Sequence, residues 1–179
     1  QEMSAGTDGA IYPITATEAA WPDGATAADK KLAAEALKKA KTVLVYKLKA
    51  GHKAADITAA LAALKTVQFN TLCYPYDGEG EDVNKTAIAT WIKAMREDEG
   101  VKCQAVLANH TADSEGIINV VQGVAMSGNQ ELTAADVTAW VAGATAGASI
   151  TTSNTGMVYV GAIDVKPRMT KSEMEAAVT

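Results

Sequence analysis

The sequence predicts an α/β protein: a mostly parallel sheet of about four to five strands flanked by helices, preceded by an irregular N-terminal leader. Three features predict it. From Asp29 onward, helical and strand-like segments alternate across connections of a few residues, the pattern of a parallel sheet built from strand–helix–strand units. Val43-Leu44-Val45 is apolar without a break, which suits a strand covered on both faces. The 179 residues are 48% hydrophobic, enough to close one core without cross-links.

Residues 1–28 form the leader. They lack a sustained period and are rich in Gly, Ala, Thr and Pro. Ala10 to Thr15 fits a short edge strand, because Pro13 cannot sit in the middle of a sheet. Trp21-Pro22-Asp23-Gly24 reads as a turn. The core domain spans 29–179. Asp29 is expected to cap a helix from Lys30 to Lys41, with Leu32, Ala33, Ala36, Leu37 and Ala40 on one face. A strand follows from Thr42 to Leu48. Asp56 is expected to cap the next helix, Ile57 to Thr66, with Ile57, Ala60, Leu61 and Leu64 inward.

Phe69 to Tyr76 is the second strand, ending in the acidic turn Asp77–Asp82. The long helix from about Asp82 to Glu99 places Val83, Ala87, Ile88, Trp91, Ile92 and Met95 inward, and Gly100 stops it. Val101 to Asn109 is the third strand. Gly116 to Met126, rich in β-branched residues, reads as one further strand before a turn at Ser127–Gln130. Thr133 caps a helix reaching about Ser149, with Asp136 favourably placed in its first turn. Val158 to Val165 is the last strand. Thr170-Lys171-Ser172-Glu173 has the pattern of a capping box opening a final helix.

Composition excludes several classes of function. The net charge is −5 and the pI about 5.0, without a basic block, which argues against a nucleic-acid or membrane-surface binder. Two cysteines are too few for a disulfide scaffold. The chain carries 36 alanines and only 5% aromatics, so each residue buries little apolar area and neighbours would add to its stability. It begins at Gln1 without a signal segment, and it is expected to be a fragment or a processed piece.

Chemistry is expected at the carboxyl ends of the strands, which here offer His52, the acidic turn and Asn109-His110. Gly78-Glu79-Gly80 lacks the third glycine of a dinucleotide fingerprint and the Gly-Lys-Ser/Thr of a P-loop, and its four carboxylates would repel phosphate. Those acids fit no EF-hand spacing, so a solvated turn near a helix N-terminus is favoured over a calcium site. The two histidines and two cysteines form no zinc chelate pair, and no metal or other cofactor is expected. An enzyme reading would use Cys73 as nucleophile with His110. Cys73 between Leu72 and Tyr74 reads instead as a small hydrophobe in a strand. Ala139, Gly143 and Gly147 recur every four residues, a smooth helical stripe that favours close packing within the chain over a partner contact. Trp91 and Trp140 read as core anchors.

The segment from Phe69 to Thr179 goes further by resemblance. Phe-Asn-Thr-Leu at 69–72, Met-Arg-Glu-Asp-Glu-Gly at 95–100 and Lys-Cys-Gln-Ala-Val-Leu-Ala-Asn at 102–109 resemble the middle of contractile-tail sheath proteins of phages and phage-like elements of Gram-positive bacteria. The likeness continues through 112–124, through the most specific run at 131–149, and through 161–170. Asp29–Leu48 also resembles the helix and strand that precede an inserted β-rich module in that family. Here Gly51-His52-Lys53 leads almost directly into the next helix. The family's C-terminal region, which faces the tail tube and exchanges strands with neighbours, lies beyond Thr179 and is expected to be missing.

The resemblance implies a structural, non-enzymatic subunit. It would assemble helically with copies of itself around a tail tube protein in a virion tail or tailocin, formed in the bacterial host cytoplasm, and rearrange on contraction. It implies no nucleic-acid or membrane partner, and no deep pocket at the strand ends. Asp77, Glu79, Glu81 and Asp82, with Lys93, Arg96, Lys166 and Arg168, are the candidate inter-subunit contacts, each exposed pair adding about 0–1 kcal/mol and acting through repetition. A small α/β enzyme and a generic binding module are the competing readings.

Overall fold

The computed structural model describes residues 1–16, 21–149, 151 and 153–176. All its described helices but one begin where a hydroxyl or backbone amide meets an acid three residues on. Helix α1 (Ala27–Leu37) starts at Thr26, whose amide donates to Asp29 Oδ2 at 2.9 Å while Asp29 N donates to Thr26 Oγ1 at 3.3 Å. Asp29 is thus the third helical residue of a capping box and not the cap. Helix α2 (Ala54–Leu64) repeats the shift, with Lys53 N donating to Asp56 Oδ2 at 2.8 Å. In both places the acid is the stronger sequence signal, and it marks a helix that began three residues earlier. Helix α3 (Glu81–Glu97) follows Gly80, held at φ 85°, and ends ahead of Gly100 at φ 70°. Thr133 caps α4 (Ala134–Gly147) and Thr170 opens α5 (Lys171–Ala176), both as expected.

The strands do not form the mostly parallel sheet of four to five strands expected from the alternation. Among the described residues they make three small sheets. Strand β1 (Ile11–Ile14) pairs antiparallel with β2 (Val43–Tyr46). Pro13 lies on this outer edge, as its missing donor requires, so the leader supplies a strand and is not wholly irregular. Strands β3 (Thr71–Tyr74), β4 (Gln104–Ala108) and β5 (Ile117–Val120) form a parallel sheet, in that order. The expected single strand from Gly116 to Met126 is two. After β5 the chain breaks at Val121-Gln122, and β6 (Gly123–Met126) joins a third, antiparallel sheet between β7 (Gln130–Leu132) and β8 (Ala162–Lys166). A Cβ on Gly123 would lie 2.3 Å from the carbonyl oxygen of Leu132, so only glycine permits this turn of direction. The last strand begins at Ala162; Val158 to Gly161 lie outside it.

Alternate residues of the parallel sheet face two helical layers. Leu72, Tyr74, Ala105 and Leu107 join Ile57, Leu61, Ile88 and Ile92 in one cluster. Val106 and Cys73 face Val137 and Ala142 of α4 in another. A third cluster packs Met3 and Ile14 on Ala33 and Val45, tying the leader to α1 and β2. Helix α3 departs from the expected face at two positions: Val83 is 65% exposed and Ala87 is exposed, while Lys85 is buried on the stripe with Ile88, Ile92 and Met95. The glycine stripe packs within the chain: added Cβ atoms on Gly143 and Gly147 would lie 2.2 Å and 2.4 Å from the carbonyl oxygens of Ala36 and Lys39 in and just after α1. Trp91 and Trp140 are half-buried and stack on Phe69 and Tyr159.

Candidate functional site

The carboxyl ends of β3 and β4 converge on the acidic turn, and the turn is organised from below by Lys85. This lysine is 1% exposed, and its ammonium donates to Asp77 Oδ1 at 2.7 Å and the Ala108 carbonyl at 3.1 Å, with Asp82 Oδ1 at 2.9 Å. Burial works against its charge, but the hydrogen bonds to Asp77 and Asp82 outweigh it and raise its pKa. Burial likewise acts against the Asp77 carboxylate, and the hydrogen bonds from Lys85 and Asn109 overcome it, holding the group below its usual range. Glu81 accepts the hydroxyl of Tyr74 and the amide of Asn84. Of the four acids, Glu79 alone is exposed and without a partner among the described residues.

The four basic candidates do not gather opposite these acids. Lys93 lies on the exposed side of α3, 3.9 Å from Glu97. Arg96 is mostly buried, pairs with Glu115 and donates to the Cys103 carbonyl at 3.0 Å. Arg168 pairs with Asp164 at 2.9 Å and Lys166 with Glu131 at 3.2 Å. Lys166 does share a groove of about 530 Å³ with Asp77, Asn109, Glu131 and Pro167. The strand ends thus carry an open groove, and its charged groups are already paired inside the chain.

Lys85 was not singled out from the sequence, and His52 was named there only as a strand-end residue, without the partners of the second cluster. Lys85 carried a signal, since it stands three residues before Ile88 on the buried stripe. The second cluster surrounds His52: Nδ1 lies 2.7 Å from Glu2 Oε1 and Nε2 lies 2.8 Å from the Tyr74 hydroxyl, with the Tyr76 ring 4.7 Å away. Burial acts to raise the Glu2 carboxyl, but its bonds from His52 hold it low. Burial pushes both tyrosine hydroxyls up, Tyr76 to about 12. No local pattern links residue 2 to residue 52.

The groups of the enzyme reading are not brought together. Cys73 lies in β3, its sulfur 3.3 Å from Thr138 Oγ1, and burial pushes its thiol up, away from a thiolate. His110 is held by its backbone to Asn119, 2.9 Å away. Cys103 is fully buried. Among the described residues no group of three or more His, Cys, Asp or Glu is arranged to hold a metal, and no helix is long and apolar enough to cross a membrane.

Two further surfaces stand out. An apolar cleft of about 760 Å³ separates β2 from β3, with α1 and α4 along one wall. Near the C-terminal end, Val158, Val160 and Ile163 are each more than 70% exposed. That strip of apolar side chains is unusual for a surface that meets only water.

Comparison with known proteins adds the following. The family model for the phage tail sheath protein central domain matches residues 50–179. The chain is 44% identical over 114 residues to the phage-like element PBSX protein XkdK of Bacillus subtilis, and 38% identical over 117 residues to the tail sheath protein of Clostridium phage phiCD119. These stretches are 64% and 65% of this chain but only 24% and 31% of the relatives, so the chain spans about a quarter to a third of their length. The crystal structure of a sheath tail protein from Desulfitobacterium hafniense superposes with a TM-score of 0.86 at 25% identity, covering 99% of this chain and 65% of that one.

Proposed function

The chain belongs to the phage tail sheath family, through its central domain, and on that premise we propose that it is the rigid α/β body of a contractile sheath subunit. Copies stack helically around a tail tube and shift as rigid bodies when the sheath shortens. The subunit works in a virion tail or phage-like particle, assembled in the host cytoplasm, and acts by contact and not by catalysis. The family match over 50–179 carries this reading. Three structural features support it. The helical layers on both faces of the parallel sheet suit a stiff body. The charged groups at the strand ends are paired within the chain. The strip of Val158, Val160 and Ile163 offers apolar area to a neighbour.

Charge contacts between subunits remain part of the proposal, with the weight moved onto residues whose charge faces outward. Those are Glu79, together with Asp82, Lys93 and Arg168, whose side chains stay 84%, 65% and 78% exposed beside their partners Lys85, Glu97 and Asp164; Asp77, Glu81 and Arg96 are committed internally, and Lys166 to Glu131. Co-expression of the full-length gene product that carries this domain with a tail tube protein, followed by negative-stain microscopy, is the test. Decorated tubes that disappear on Glu79→Lys, and in a separate protein on Lys93→Glu, are expected. Tubes left bare by the unaltered protein would overturn the sheath role, and tubes unaffected by the reversals would overturn the charge contacts alone. Fast labelling of Cys73 at neutral pH would favour the enzyme instead.

A further inference from the structure

Two open sheet edges face each other across the 760 Å³ cleft. In β2 the backbone of Lys47 bonds toward β1, its amide to the Ala10 carbonyl and its carbonyl to the Gly9 amide, both at 2.9 Å. By the two-residue period Val43 and Val45 also face β1, and Leu44 and Tyr46 turn their amides and carbonyls to the cleft. In β3 the Asn70 carbonyl accepts Gln104 N at 3.1 Å, so Leu72 and Tyr74 face β4 while Thr71 and Cys73 face the cleft. One end of the gap is already bridged. The Gln1 ammonium donates to the Tyr46 carbonyl at 2.8 Å, Leu48 N donates to the Gln1 carbonyl at 2.9 Å, and Glu2 N donates to the Tyr76 hydroxyl at 2.6 Å. Glu2 pairs with Leu48 in the parallel sense.

We propose that this cleft is an acceptor slot for one extended strand, joined to the Gln1 nitrogen and parallel to β2 and β3. The polarity follows from Gln1 and Glu2, which meet the carboxyl ends of both edge strands, at Tyr46 and at Tyr76. A polypeptide continued backwards from Gln1 runs into the cleft, toward Val43 and Thr71. The four residues of β2 set the length at about four to five residues, at roughly 3.3 Å each. Apolar side chains line most of the slot, Ala33, Ala36, Ala139 and Ala142 from α1 and α4 and Leu64 and Phe69 from the α2 side, while Lys39, Lys41 and Gln68 also border it. The occupant is therefore an uncharged, β-branched strand of the kind found in the middle of parallel sheets. It joins the β1–β2 pair to the β3–β4–β5 sheet as one six-stranded sheet. The lowered pKa of the Gln1 ammonium, about 6 because burial penalises its charge, agrees with a position better suited to a peptide bond.

The test compares three proteins by residue-resolved amide hydrogen exchange: the chain itself, the chain extended at Gln1 by Val-Thr-Val-Ile-Val, and the chain extended by Gly-Ser-Gly-Ser-Gly. The apolar extension is expected to slow exchange at Leu44, Tyr46, Thr71 and Cys73 at least tenfold and to raise Tm, in a protein that remains monomeric by sedimentation. The Gly-Ser extension leaves exchange within threefold of the parent. Unchanged exchange with the apolar extension overturns the proposal. So does equal protection by the same pentapeptide added free, or protection that appears only with dimerisation, since both place the strand on another molecule. Loss of the fold in the extended chain counts against it too, because a strand the slot accepts adds bonds and removes none. All readouts are taken on the monomer, so the result is separate from the sheath reading.

Discussion

Lys85 and Asp77 form an ion pair 2.7 Å long at the carboxyl end of the parallel sheet, with the lysine side chain 2% exposed and the aspartate 25%. The pair joins the second turn of α3 to the segment just after β3, and the Ala108 carbonyl brings in the end of β4. Removing one partner of a buried pair leaves the other charge unpaired, a loss of about 3–5 kcal/mol. Lys85→Met is expected to lose somewhat less, because Asp77 reaches water. Urea unfolding at pH 7 should place the loss at about 2–4 kcal/mol for Lys85→Met, and Asp77→Asn in the same background should recover part of it.

Gly143 is where α1 and α4 come closest. A methyl group there would sit 2.2 Å from the Ala36 carbonyl oxygen, a backbone atom that cannot rotate away. Elsewhere in a helix, Gly→Ala stabilises by up to about 1 kcal/mol. Here the sign is expected to reverse. Gly143→Ala forces the helices apart and should destabilise by about 1–3 kcal/mol, the range for overpacking a tight contact. Thermal unfolding of Gly143→Ala beside an exposed control, Gly78→Ala, isolates the packing cost, since Gly78 lies outside the positive-φ region and an added Cβ there meets only Glu81 Cγ at 4.0 Å.

These two sites show what the amino-acid order discloses and what it hides. The helices and their buried faces were legible, because a 3.6-residue period and a capping box are local signals. The errors at Asp29 and Asp56 are shifts of three residues within one motif. Sheet membership was not legible. Whether β2 bonds to β1 or to β3 depends on contacts that no local period encodes, and the break at Val121-Gln122 interrupts a run that looks uniform. The acidic turn is legible, but its internal pairing is not: Lys85 reaches back from the apolar stripe of α3 to Asp77, and no local pattern announces that contact. The tail sheath resemblance was legible in the run at 131–149, where Thr133, Asp136 and Gly143 each have a structural task.

Asp29 predicts a dependence on acid. Burial acts to raise its carboxyl, but hydrogen bonds from Ser4 and from Thr26 outweigh it and bring the pKa down to about 2 from an ordinary 3.8. A carboxyl depressed in the folded state stabilises fully above its unfolded pKa, and that contribution is lost as pH falls through the folded value. The shift corresponds to about 2 kcal/mol at neutral pH, lost progressively between about pH 4 and pH 2. Urea unfolding at pH 7, 4 and 2.5 should show it, and Asp29→Asn should reduce that part of the slope. An Asp29→Asn protein with an unchanged acid profile would assign the dependence to other carboxylates.

The Gln1 ammonium predicts the opposite slope near neutrality. Burial lowers its pKa from 8.0 to about 6, so between those values the unfolded chain binds more protons than the folded one. Stability must then rise with pH across about 6 to 8, because unfolding takes up a proton in that window. N-terminal acetylation removes the charge and keeps one N–H to donate to the Tyr46 carbonyl. The acetylated protein is expected to be the more stable form at pH 6, with the gap closing toward pH 8, as read from urea midpoints of the two forms across that range. A constant gap would mean that the ammonium keeps its ordinary affinity for the proton, and that acetylation acts through something other than the buried charge.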